Sequence, residues 1–286
     1  MRKLIVAGVA IAAMLLPASQ ALASSHHPTG EFAQFAECPL SNPEIAACVY
    51  SESNGGYFQT GAKTVPLVHT VILQGGLVGK TLAFAGAENG ETLSKTPQPV
   101  PGGLLGIVAP SWWPYWLQSW FNNQINEGLT GVTATVEIAG PDSGIKINTL
   151  NLLFEKGVAM SLPVKIKLSN PILGNNCYIG SNSSPIVIDF TTGETSPPPP
   201  NEPIHGSRGT IETNEEQTLT TLSGGKLVNN SYAAPAANGC GGLFSFFVDP
   251  LVNSLVSLPS PAGTNTAILE GKLQTAVASA VVESEE

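Results

Sequence analysis

Two stretches decide the fold: VTATVEI, Val132 to Ile138, and LPVKIKL, Leu162 to Leu168. In the first, Val132, Ala134, Val136 and Ile138 alternate with Thr133, Thr135 and Glu137. Successive side chains of an extended chain point to opposite faces, so this pattern is a half-buried strand. Leu162, Val164, Ile166 and Leu168 alternate in the same way with Pro163, Lys165 and Lys167. Pro163 has no N–H for a ladder, which predicts an edge strand or a place for Pro163 outside the central pairing. Lys165 and Lys167 would also discourage edge-to-edge association.

Working outward, Ile186, Ile188 and Phe190 alternate with Val187, Asp189 and Thr191. Shorter strand candidates are 65–73, 81–84, 145–154, 218–222, 226–232 and 265–273, most of them separated by Gly-, Pro- and Asn-rich turns. Two segments read as helices. Ser111 is expected to cap one running through Asn123, with Pro114 in its first turn. Asp249 is expected to cap the second, with Pro250 first in the helix and Leu251, Val252, Leu255 and Leu258 on one face. Each helix follows a Gly-Gly-Leu, at Gly102-Gly103-Leu104 and Gly241-Gly242-Leu243; a worn internal repeat would leave this mark, but chance in a Gly-rich chain is the simpler reading. The expected class is mainly β, a sandwich-like or barrel-like single domain with two short helical inserts.

The composition agrees with a folded chain. Of 286 residues, 42% are hydrophobic and only 12% charged, about half the usual share, so the chain is not intrinsically disordered. The formal net charge of −9 disfavours nucleic acid as a partner.

Arg2 and Lys3 precede an apolar run from Leu4 to Leu16, then Pro17 and the small-x-small Ala21-Leu22-Ala23. This is the pattern of a signal peptide over residues 1–23, too short to span a bilayer. Its removal leaves residues 24–286 as one mainly β domain of net charge −11, with a Pro-rich ordered loop near 197–203. No transmembrane segment is expected in the mature chain. The product is expected to be secreted, extracellular or cell-wall-associated.

Export makes disulfides the default for Cys38, Cys48, Cys177 and Cys240. Three pairings are open to four cysteines. Cys38–Cys48, closing a short loop with the turn-forming Asn42-Pro43, and Cys177–Cys240, bridging distant segments, are the pairs we expect. Zinc is disfavoured, because C-x-x-C and suitably spaced His are missing. No metal or cofactor is expected.

The stretch LPVKIKLSNPILGNNCYIGSNSSPIVIDFTTGETSPPPPNEPIHG, Leu162 to Gly206, resembles a group of uncharacterised secreted proteins of actinobacteria. PAGTNTAILEGKL, Pro261 to Leu273, is similar to the same group, as is Cys38-Pro39-Leu40. The resemblance implies export and a shared architecture, and it carries no activity or catalytic residue.

Motifs for chemistry are sparse. Ser-x-x-Lys occurs at Ser143–Lys146 and Ser223–Lys226, without the partner motifs of penicillin-interacting enzymes. His26 and His27 are expected in a loose tail. His69 and His205 could each be fitted to a Ser–His–carboxylate set, but read more simply as satisfied core or loop histidines. Asp142 precedes a turn, Asp189 faces out from a strand and Asp249 is assigned to a cap, so no pair is required for glycoside chemistry. No catalytic residue is assigned.

All four tryptophans fall in Ser111–Phe121. On a helix Trp113, Trp116, Leu117, Trp120 and Phe121 share a face, while Trp112 and Tyr115 lie off it. One face is ordinary core packing; aromatics on more than one suggest a recognition surface of Trp112, Trp113, Tyr115, Trp116 and Trp120. Its partners would be a cell-envelope glycan, lipid or protein. A binding or envelope structural protein is the first functional expectation. A hydrolase without a recognisable motif and an extracellular carrier of an apolar ligand are the alternatives.

Overall fold

A computed structural model describes residues 26–106, 108–126 and 130–285; the signal peptide read at residues 1–23 lies outside the described residues. The expected mainly β architecture is present, as two antiparallel sheets packed face to face. One sheet holds β1 (Ile45–Thr60), β2 (Lys63–Pro66), β3 (Val71–Val78) and β4 (Phe84–Gly86). It is completed by β11 (Thr210–Thr213), β12 (Leu219–Asn229) and β14 (Thr266–Val277), in the order β11-β12-β14-β1-β3-β4, with β2 beside β1. The other holds β5 (Gln98–Pro99), β6 (Thr133–Ile138), β7 (Lys146–Ile147) and β8 (Met160–Ser169). With them are β9 (Tyr178–Ile179), β10 (Ile186–Phe190) and β13 (Ala237–Asn238). Four α-helices, rather than two, occur among the described residues: α1 (Tyr115–Asn126), α2 (Thr149–Phe154), α3 (Ser245–Val256) and α4 (Ala278–Glu283).

The alternating stretch 162–168 is not an edge strand. It is β8, the centre of its sheet, paired with β6, β7, β9 and β10. Pro163 is tolerated because its carbonyl accepts from Ala139 N–H at 2.9 Å, just past the end of β6. In a strand, N and O of one residue face the same neighbour. The missing N–H therefore falls in the gap where β6 has ended and β7 has not begun. The lysines sit on the outer face, where Glu137 pairs directly opposite Lys165 at 3.7 Å.

The main core lies between the sheets, with Leu162, Val164, Ile166, Ile186, Ile188 and Phe190 facing Val49, Leu73 and Leu77. One edge is stitched by a reciprocal pair, Thr191 N to Val228 O at 3.0 Å and Val228 N to Thr191 O at 2.9 Å. A smaller core, with Phe32, Phe35 and Val281, covers the outside of β1 and β14. Cys38–Cys48 fastens it to β1. His26 belongs to this layer: its Nδ1 lies 3.1 Å from Glu285, so the expected loose tail is packed there.

Four strand expectations change: of candidate 81–84 only Phe84, the first residue of β4, is strand. Candidates 218–222 and 226–232 are one strand, β12, bulged between Ser223 and Gly225 opposite β14. Segment 145–154 is extended only through β7, then turns into α2, because Asn148 Oδ1 accepts from Asn151 N–H at 3.0 Å as an N-cap. Segment 65–73 breaks between β2 and β3. There the Gln98 side chain stands in for a strand, its Oε1 accepting from Val68 and His69 N–H at 2.9 Å each and its Nε2 donating to His69 O at 2.8 Å.

The Pro-rich loop is held as read. Asn201 Nδ2 donates to Asn230 O at 2.8 Å and Asn265 O at 3.1 Å, and Asn230 Nδ2 to Glu202 O at 2.7 Å. Nearby, buried Tyr232 donates its hydroxyl to Gln59 O at 2.7 Å and meets Thr60 Oγ1 at 3.1 Å. Burial pushes its pKa well above the ordinary phenol range, the Thr60 contact opposing slightly. Tyr50 is pushed up to about 12 by burial and its bond to Glu52.

A raised folded pKa means that this stabilisation is complete below the unfolded value near ~10 and is lost as pH climbs toward the folded one. Denaturant midpoints measured from about pH 8 to about pH 11 should therefore fall. Tyr232→Phe should be about 1 kcal/mol less stable at neutral pH, from the lost hydrogen bond, but should decline less steeply in alkali.

Candidate functional site

The most unusual local structure is at α1 and α3. The chain enters α3 from Cys240, disulfide-bonded to Cys177, both fully buried. Gly241 then takes the left-handed conformation (φ 78°), and a Cβ there would meet Val248 Cγ2 at 2.5 Å, so glycine is required. Its N–H donates to Leu173 O at 2.7 Å, and a 3-10 turn, Gly242–Phe244, leads into the helix.

Asp249 does not cap α3, which begins four residues earlier. Its carboxylate points inward and accepts from Cys240 N–H at 2.7 Å and Gly239 N–H at 3.2 Å. One turn on, Asn253 brackets Ala237, accepting from its N–H at 2.7 Å and donating to its carbonyl at 3.0 Å. These residues and buried Val252 share the inward face. The expected apolar face is consequently split, with Val252 and Leu258 inside but Leu251 and Leu255 exposed beside Phe246 and Phe247. Leu243, in the leading turn, is 94% exposed. The inward face is therefore mixed, with Val248, Val252 and Val256 packed on the core beside Asp249 and Asn253, while the outward face stays apolar.

α1 repeats this logic. Gly102, also left-handed (φ 79°), precedes the turn Gly103–Leu105. Ser111 does not cap the helix, which starts at Tyr115 with the Pro114 carbonyl accepting from Leu117 and Gln118 N–H. Gln118 Nε2 donates back to Trp113 O at 2.6 Å and Ser111 O at 3.1 Å, and Asn122 Oδ1 accepts from Ala109 N–H at 3.0 Å. Trp113 and Phe121 pack edge to face, centroids 5.5 Å apart. Trp116 and Trp120, expected on that same face, are instead exposed, together with Trp112 (81%) and Tyr115 (84%). The amides must reach the backbone donors and acceptors of the preceding loop, and that demand turns the helix away from its apolar preference.

An apolar cavity of about 90 Å³ is bordered by Val100 and Leu104 on one side and by Val252, Leu255 and Val256 on the other. A second, about 220 Å³, lies between the sheets near α2, among Val49, Leu73, Ile147, Met160, Leu222 and Leu273. Pockets for drug-sized ligands run from about 300 Å³ upward, whereas about 150 Å³ suffices for a benzene-sized guest.

The segment from Pro97 to Asn126 contains no Asp, Glu, Lys, Arg or His, and from Leu227 to Leu269 the only one is Asp249. Each large ring left in water forgoes roughly 2 to 3 kcal/mol of burial free energy.

The remaining candidates are dispersed. His69 is exposed in the break between β2 and β3. His205 pairs with Glu194 at 3.5 Å on the surface. Lys226 is engaged by Glu270 at 3.8 Å, and Asp142 and Asp189 accept from Thr92 and Ser161 at 2.6 and 2.5 Å. Among the described residues no cluster of three His, Cys, Asp or Glu could hold a metal. Leu243, Phe244, Phe246 and Phe247 escaped the sequence reading as site residues. Their signal was the apolar run around them, which reads equally well as core.

Fold and site together define a disulfide-braced β-sandwich with two helices, α1 and α3, that each turn large apolar side chains to solvent. No family model, curated protein or solved structure matches the chain. No helix among the described residues is long and apolar enough to cross a membrane.

Proposed function

We propose that this is a secreted binding protein that engages the cell envelope through the outer faces of α1 and α3. The observation that carries the reading is that both helices, whose inner faces mix apolar and polar side chains, turn large apolar side chains to solvent. Gln118, Asn122, Asp249 and Asn253 are spent on the protein's own backbone while Trp116, Trp120, Phe246 and Phe247 face solvent. A signal peptide at residues 1–23 would deliver the chain outside the cell, where its two disulfides persist.

The test is retention of purified protein by an isolated cell-envelope fraction. Wild type should sediment with the fraction. Trp116→Ser/Trp120→Ser/Phe246→Ser/Phe247→Ser should remain in the supernatant with an unchanged or higher unfolding midpoint, since these rings contribute little to the core. Equal retention of both proteins would overturn the reading.

The 220 Å³ cavity favours a second reading, carriage of a small apolar molecule or one end of a chain. Organic extraction and mass spectrometry of protein from its source would detect such a ligand.

A further inference from the structure

We infer that the surface formed by α1 and α3 docks on an uncharged lipid interface, a leaflet of zwitterionic or neutral headgroups. This rests on the reading that these helices are the binding end. Their chemistry selects the partner. Tyr115, Trp116 and Trp120 are rings with a polar edge, the side chains that settle at the level of headgroups. Leu243, Phe244 and the tilted pair Phe246–Phe247, centroids 4.1 Å apart, carry no polar handle and protrude from the turn and first residues of α3. Wholly apolar, protruding side chains suit a fluid acyl layer, which closes around them, better than a rigid surface needing a matching pocket.

Charge narrows the choice. Segments 97–126 and 227–269 supply no cation, and their one anion, Asp249, has both oxygens occupied by backbone N–H groups; the cation beside them is Lys63, half-buried in the cavity between Leu104 and α3. The net charge of −9 is carried elsewhere on the chain, so an anionic bilayer would repel the protein as a whole without attracting this end. A second copy or another protein would ordinarily meet polar and charged rim groups that set register. A glycan would need a dense set of hydrogen-bonding side chains beside the rings, yet Gln118, Asn122 and Asn253 are turned inward, and Asn123 and Ser254 are the exposed polar residues described on the two helices. A lipid interface asks for neither.

Intact mature protein would be mixed with phosphatidylcholine vesicles and followed by co-sedimentation and by tryptophan emission. We expect binding with a blue shift, undiminished by high salt and not strengthened by phosphatidylglycerol. The variant Trp116→Ser/Trp120→Ser/Phe246→Ser/Phe247→Ser should lower the partition coefficient by about tenfold or more, because each ring removed deletes buried apolar area. A second variant, Val187→Ser on the exposed face of β10, should partition like wild type.

No binding to phosphatidylcholine, or binding only when anionic lipid is present, would overturn the inference. If wild type then dimerises, or is retained by insoluble glycan, and the four-residue variant abolishes this, the binding end stands and the lipid assignment falls. If the variant changes none of these behaviours, both fall.

Discussion

Replacing Cys177 and Cys240 together with alanine should lower the unfolding free energy by about 4 kcal/mol, the loop-closure value expected for a bridge of this span. The residues are 63 apart in sequence. The bridge joins the segment just before β9 to the turn that launches α3, while β9 and β13 pair across only two residues each. Without it, the edge of the second sheet depends on that short ladder and on the bonds of Asp249 and Asn253. Urea unfolding of the double variant beside wild type measures the loss. Removing Cys38 and Cys48, only 10 apart, should cost nearer about 3 kcal/mol. A cost below about 1 kcal/mol for the long bridge would mean that hydrogen bonds alone hold α3 on the sheet.

The second large effect is expected at Asn265, a polar side chain with no exposed surface. Its Oδ1 accepts from Gly61 N–H and Ser260 Oγ, each at 2.8 Å. Its Nδ2 donates to Tyr232 O at 2.8 Å and Pro261 O at 3.2 Å. Every donor and acceptor of the amide is used, so one residue ties together the turn after β1, the segment carrying Tyr232 and the approach to β14.

Asn265→Ala should cost about 3 to 5 kcal/mol, since several buried partners lose their bonds together. Asn265→Asp keeps the shape but sets an oxygen against the two carbonyls. Burial and those carbonyls would raise the acid's pKa in the folded protein. Its folded form is then favoured below the ordinary carboxyl value near about 4 and penalised as pH rises above it. The gap in melting temperature between this variant and wild type should be wider at pH ~7 than at pH ~4. An equal gap at both would show that the site admits water.

The strands with clean alternation were legible because one face meets the core and the other meets water. Ile186, Ile188 and Phe190 are buried while Val187 and Asp189 are exposed, as their spacing requires. The longest strand, β1, was not legible. Cys48 and Val49, neighbours on opposite faces, are both buried, because the outer layer of Phe32 and Phe35 covers one side and the main core the other. Its second half runs through Gly55-Gly56, where a Cβ on Gly56 would come within 2.1 Å of Ile268 O. Close backbone approach demanded glycine there and erased the strand signal. Pro163 misled for a related reason: its missing N–H is harmless only because two short strands, β6 and β7, leave a gap beside it.

The tryptophan cluster shows the same limit. Periodicity placed Trp116 and Trp120 with Trp113 and Phe121, but Trp113 precedes the helix and packs half-buried on Phe121, while Trp116 and Trp120 are rotated toward solvent. That choice belongs to Gln118 and Asn122 in α1, and to Asp249 and Asn253 in α3. Their partners are backbone groups of loops whose path exists only in the folded chain.

Which of the three cysteine pairings forms was decided by the fold; by itself, the sequence determined the mainly β class, the ordered Pro-rich loop and the place of the aromatic cluster. All follow from local chemistry: alternation, turn residues, loop length and composition. Tertiary structure decided which strand is central, that Asp249 is a brace rather than a cap, and that two helices present their apolar sides to the outside. Those outcomes depend on which buried donors and acceptors must be satisfied, and that demand arises only when distant segments meet.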